Sequence, residues 1–123
     1  MPNHTYFMLV KATDAWLQLT PPDRFAYVDS TLRPLLARSP DVSLRYFDSE
    51  AFNSHYSDVL MWETSDVLAY QAVVEELREN RFWGHYFEVV EIIPSIEDAY
   101  AAHYAVAPVG LPGPVDAAIS AVG

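Results

Sequence analysis

The stretch VSLRYFDSEAFNSHYSDVLMWETSD, Val42 to Asp66, decides the fold. It holds two runs of strand-forming residues, 42–47 and 59–63, with no helical periodicity between them. The segment joining them, 48–58, is too long for a tight hairpin turn. Thr64-Ser65-Asp66 then supplies a helix N-cap signal. Working outward toward the N-terminus, Ser39-Pro40-Asp41 ends a helix that starts at Thr20-Pro21-Pro22-Asp23, with a capping Thr, a Pro at the first helical position and an acidic group for the dipole. Phe25, Val28, Leu32, Leu35 and Leu36 form its apolar stripe, and Pro34 falls inside that stripe, so a kink or a second helical turn is expected there. Before it, after a turn around Thr13-Asp14, the run Tyr6 to Val10 reads as a strand covered on both faces. Outward toward the C-terminus, Val67, Tyr70, Val74 and Leu77 give a second helical stripe, with Glu75, Glu76, Arg78 and Glu79 on the solvated side. A fourth strand is expected over 86–93, closed by Pro94, and a short last helix over 96–104.

The order β-α-β-β-α-β is the ferredoxin-like pattern, an α+β fold with a four-stranded antiparallel sheet and two helices on one face. Two helices leave the other face bare. Yet the strands do not alternate cleanly, since Leu60 and Trp62 oppose Val59 and Met61. A second subunit is the simplest cover, and two facing sheets would enclose an aromatic cavity. A homodimer is therefore expected.

The chain has 123 residues, 51% hydrophobic and 14% aromatic, with a formal charge of −10 and no cysteine. The acidic balance argues against nucleic acid and anionic membranes as partners. The missing cysteine excludes disulfides, thiol nucleophiles and Cys-based zinc sites. No apolar run approaches the roughly 20 residues of a membrane span, and no secretory signal is visible, so a cytoplasmic protein is expected. Glycine and proline gather late, at Pro108, Gly110, Pro112, Gly113 and Pro114. Residues 1–104 read as one folded domain and 105–123 as a tail lying over the partner subunit or the cavity mouth. No internal repeat is present.

Arg45-Tyr46-Phe47-Asp48-Ser49-Glu50-Ala51-Phe52 followed by Ser57-Asp58, then Trp62-Glu63-Thr64, Glu75-Glu76-Leu77-Arg78, Tyr86-Phe87 and Ile96-Glu97-Asp98, resembles in order the signature of the darcynin family of small bacterial proteins. Gly84-His85, in place of a proline-containing approach to the strand, and the Pro/Gly tail depart from the family pattern. The resemblance implies kinship with dimeric α+β barrel proteins, which include cofactor-free monooxygenases, isomerases and polyketide cyclases.

Four residues are candidates for chemistry. Asp58 lies across the hairpin from Asp48, and paired carboxylates raise one pKa, a route to a general acid. His55, in the loop between them, and His85, after Gly84, carry imidazoles that could move a proton. Arg45 sits in mid-strand, either paired with Glu63 or holding a substrate carboxylate or enolate. Tyr6, Trp16, Tyr46, Trp62, Trp83 and Tyr86 are candidate substrate-binding walls that could equally be core. The spacing of His4, His55, His85 and His103 gives no metal motif, and there is no Rossmann or P-loop glycine pattern, so neither metal nor cofactor is expected. These features suggest a cofactor-independent enzyme acting by isomerisation, cyclisation or dehydration on a hydrophobic, aromatic or polyketide-like molecule. A non-catalytic carrier of a hydrophobic ligand, a cofactor-free monooxygenase and a cavity-free dimer are the alternatives.

Overall fold

The computed structural model describes residues 3–110. Four strands form one antiparallel sheet in the order β2-β3-β1-β4: β1 His4–Ala12, β2 Val42–Asp48, β3 Asp58–Thr64 and β4 Phe87–Ile96. The helices are α1 Asp14–Leu17, α2 Pro21–Tyr27, α3 Arg33–Ala37, α4 Val67–Arg78 and α5 Ala99–Tyr104. This is the ferredoxin-like α+β topology expected from the element order.

The caps act where the sequence places them. The Thr20 side chain accepts from the Asp23 amide with Pro21 leading the helix, and Asp66 accepts from the Leu68 amide at the start of α4. Pro34 does more than kink the helix. It has no amide to offer the Ser30 carbonyl, and its ring crowds that position, so the chain widens into a π-helical turn over Val28–Leu32 between α2 and α3. Pro94, by contrast, does not close β4, which runs on to Ile96 with Pro94 paired opposite Tyr6. β4 is an edge strand, where a residue without an amide proton can face solvent at no loss to the ladder. Where a turn was expected around Thr13-Asp14, Thr13 caps a short helix, Asp14–Leu17. The last helix begins at Ala99 rather than Ile96, after Asp98 in the left-handed region at φ +50°.

One face of the sheet carries the core. Met8 and Val10 of β1, Leu60 and Trp62 of β3 and Val42 of β2 meet Leu35, Val73 and Leu77 from the helices, with Phe82 and Phe87 beside them. On α4 the buried positions are Tyr70, Val73 and Leu77, while Val67 is exposed, so the packed stripe is rotated from the one read in the sequence. The Tyr6 and Tyr70 rings stack in parallel 3.8 Å apart. The opposite face carries Arg45, Phe47, Met61 and Ile93, and there Phe47, Val90 and Ile93 are 42–45% exposed. Of the tail expected over 105–123, residues 111–123 lie outside the described residues. The Val106 amide bonds back to the Ala101 carbonyl, and the Val109 amide to the Tyr100 hydroxyl.

Candidate functional site

The widened helix stands off the sheet and leaves a cavity of about 750 Å³ on the helix side of a single chain. The cavity therefore lies within one protomer, not between two facing sheets. Its apolar walls are Phe25, Val28, Leu32 and Leu36 from the helical segment, Leu44 from β2, and Trp16, Phe82 and Phe87. Residues that read as an ordinary core stripe thus have a second role. The π-helical turn supplies Val28 and Leu32 to the wall, consistent with the frequent occurrence of such turns at functional sites.

The far wall is polar, and the 49–57 loop builds it. The Asn53 side chain organises that loop, donating to the Ser49 carbonyl and hydroxyl and accepting from the amides of His55 and Tyr56. The Ser49 amide closes the loop on the Ser57 carbonyl at 2.8 Å. Asp48 and Asp58 are directly opposed in the β2–β3 ladder, an arrangement that costs stability when both are ionised. Glu50 joins them, and one oxygen from each of the three carboxylates lies within 4.8 Å of the others. Three carboxylates at that spacing could ligate a hard cation through oxygen.

Asp58 differs from its neighbours. It is 7% exposed, whereas Asp48 and Glu50 are open. Burial pushes its carboxyl above the ordinary aspartate range, hydrogen bonds from Ser57 and Tyr46 pull it back in part, and the charges of Glu50 and Asp48 add to the rise. The Ser57 hydroxyl lies 2.7 Å from Asp58 Oδ2 and 3.3 Å from the Val10 carbonyl, while accepting from the Ala12 amide at 2.7 Å. A hydroxyl has one proton to give. The shorter contact directs it to Asp58, because the Val10 carbonyl already receives the Ser57 amide. The Tyr46 phenol is pushed up by burial and by the charge of Asp58, and so stays protonated against that carboxylate. Of the cations that line the cavity, Arg24 donates to the carbonyls of Trp16 and Leu17 and Arg33 pairs with Asp29 at 2.7 Å, while Lys11 makes no ion pair among the described residues. Among the described residues, the ion pairs are Arg33–Asp29 and Arg38–Glu76, so neither neutralises this end of the cavity.

Of the residues singled out in the sequence, Asp58, its paired Asp48, Tyr46 and Trp16 line the cavity. The others lie elsewhere. His55 is an exposed loop residue beside Tyr56. Gly84 does adopt a left-handed backbone, φ +89°, yet His85 after it is exposed, and its backbone carbonyl accepts from the Thr13 hydroxyl. Arg45 is on the open face of the sheet, 5.3 Å over the Phe47 ring, and makes no ion pair with Glu63. Tyr6 is stacked on Tyr70, Trp83 lies under Arg78, and Tyr86 is buried edge-on against Trp16 and Tyr27. Trp62, 2% exposed, is core. Glu50, Tyr56 and Ser57 line the cavity although no sequence argument chose them. The serine immediately before a strand-opening aspartate was the available signal.

The darcynin family model, described as a domain of unknown function, matches residues 1–112. A darcynin homolog from Granulibacter bethesdensis is 43% identical over 104 residues, covering 84% of each chain. One from Streptomyces avermitilis is 41% identical over 109 residues, covering 88% of this chain and 90% of its own. A mutant chlorite dismutase from Candidatus Nitrospira defluvii superposes with a TM-score of 0.65 at 12% identity, covering 82% of this chain and 43% of the other. Dimeric chlorite dismutase from Nitrobacter winogradskyi gives 0.62 at 16% identity, covering 77% and 57%. The chain thus spans about half of those proteins or less, and they share its fold.

Proposed function

The chain belongs to the darcynin family, and from that premise we propose that it is an enzyme of cytoplasmic small-molecule metabolism, acting by cofactor-independent acid–base chemistry on a hydrophobic molecule held in the helix-side cavity. The supporting observation is the placement of a buried aspartate with a raised pKa at the polar end of an apolar cavity, beside two open carboxylates. Asp58 holds its proton to higher pH than an ordinary aspartate, as a general acid requires. Asp48 and Glu50 face the cavity from the same end and serve as bases. In an isomerisation, Asp58 gives its proton to a substrate oxygen while Glu50 or Asp48 takes one from a neighbouring carbon, and proton exchange through water returns both groups to their starting states before the next turnover. In a dehydration the same proton goes to the departing hydroxyl. The apolar walls hold the body of the substrate and keep bulk water from it. The negative end of the cavity favours neutral or cationic molecules over anionic ones.

A neutral fluorescent probe, N-phenyl-1-naphthylamine, tests the cavity. One probe should bind per protomer, and Phe25→Glu should weaken it at least tenfold, whereas Arg45→Ala should change affinity less than about twofold. Binding abolished by Ile93→Glu but untouched by Phe25→Glu would place the apolar site on the sheet face and overturn the reading.

The open sheet face supports a homodimer, with a second copy covering Phe47, Val90 and Ile93. Sedimentation equilibrium should show a dimer for the native chain and a monomer for Ile93→Glu, because a buried unpaired carboxylate costs more than the methyls it replaces. A native monomer would contradict this arrangement. We also take 1–104 as the folding unit, with the remaining residues appended to it.

A further inference from the structure

A second, smaller void of about 30 Å³ lies behind Tyr46. Leu32, Leu36, Leu44, Tyr46 and Phe82 border both it and the large cavity, and the remainder of its wall is Leu35, Leu60, Trp62 and Leu77. No polar atom faces it. An apolar hole of this kind gives water no partners and stays dry, yet accepts an apolar group readily. Resting on the reading of the large cavity as a ligand site, we infer that this compartment is its specificity subsite, taking a short alkyl group on the ligand.

The two ends of the site are linked by one side chain. The Tyr46 hydroxyl end meets Asp58, and its ring borders the compartment. Tyr46 thus borders both the dry hole and the cavity that holds the carboxylates. A flat ring laid along Tyr46, with a hydroxyl or other donor toward the carboxylates, directs its opposite substituent into the compartment. The ligand class that fits is a para-alkylated aromatic or a fused-ring equivalent, with a hydrogen-bond donor at the polar end. Leu60 sets the depth. It sits on β3 directly opposite Tyr46 in the ladder and borders the compartment without bordering the large cavity.

Calorimetric titration with phenol, 4-methylphenol, 4-ethylphenol and 4-propylphenol reads the subsite. Affinity should rise roughly fourfold for each carbon that enters an apolar hole, then stop or fall when the compartment is full. In Leu60→Phe the rise should vanish while phenol itself binds within about twofold of the native protein. In Leu60→Val, which keeps the core nearly intact, the rise should extend to a longer chain. Phenol binding with no dependence on chain length, or the same series in the native protein and in Leu60→Val, would overturn the subsite while leaving the cavity standing. Failure of phenol to bind the native protein would remove the cavity reading, and the subsite with it.

Discussion

Asp58→Asn should lower turnover by about 10²–10⁴-fold, the range for loss of a positioned acid, and should at the same time make the protein more stable. The opposition follows from the site. Asn keeps the acceptor for the Ser57 hydroxyl and the shape of Asp58, while removing a carboxylate that burial and two neighbouring charges disfavour. A gain of about 0.5–2 kcal/mol is expected, as commonly follows relief of a destabilised functional group. That corresponds to a melting point higher by up to about 8 °C. The pH dependence has a definite sign. The folded protein holds the Asp58 proton to higher pH than the unfolded chain does, so between the two pKa values it binds more protons. Stability therefore falls as pH rises through that window, which opens near the ordinary aspartate pKa of about 3.9 and closes at the raised value. Below the window the penalty is absent, and above it the penalty is complete. Denaturation across pH should show this fall in the native protein and a reduced one in Asp58→Asn. Equal profiles would show that the Asp58 charge is not disfavoured.

Trp62→Ala should cost about 3–5 kcal/mol, a large share of the roughly 5–15 kcal/mol that holds a domain together. Trp62 is 2% exposed on a central strand of the sheet, and its ring meets Tyr70 edge-on with centroids 6.5 Å apart. Its indole Nε1 and the Tyr70 hydroxyl are buried without partners, and burial pushes the Tyr70 phenol up to about 12. Trp62→Phe removes one of these orphaned donors, so it should cost much less than the truncation. Urea denaturation should show the Trp62→Ala midpoint lowered by about 2 M. A small loss of stability accompanied by a large loss of probe binding would make Trp62 a wall of the large cavity instead of core.

The topology was legible because it depends on local signals. Thr20-Pro21 and Asp66 start helices wherever they stand, and two strand runs without a helix between them leave few topologies open. Asp58, Tyr46 and Trp16 were legible because charges and aromatics at a strand or helix start invite notice. The cavity was not. Phe25, Val28, Leu32 and Leu36 have the spacing of a packed stripe, and nothing in that spacing says whether the helix touches the sheet or stands away from it. Pro34 decides that, through a π-helical turn that propensity reasoning reads only as a kink. His85 illustrates the converse. The glycine before it does adopt a left-handed backbone, but which way the next side chain points depends on the Trp83–Phe87 bridge and the Thr13 contact, both of them non-local. The apolar surplus suggested a cavity, and tertiary spacing alone placed it on the helix side.

Carbon-13 titration of the aspartate carboxyls in the full chain, with and without N-phenyl-1-naphthylamine, addresses the central claim most directly. The Asp58 signal should titrate above the ordinary aspartate range, move higher still in Ser57→Ala, which loses a hydrogen bond that favours the charged form, and shift when the probe saturates the cavity. An Asp58 midpoint at or below about 3.9, with no response to bound probe, would contradict the assignment of the functional site to this cavity.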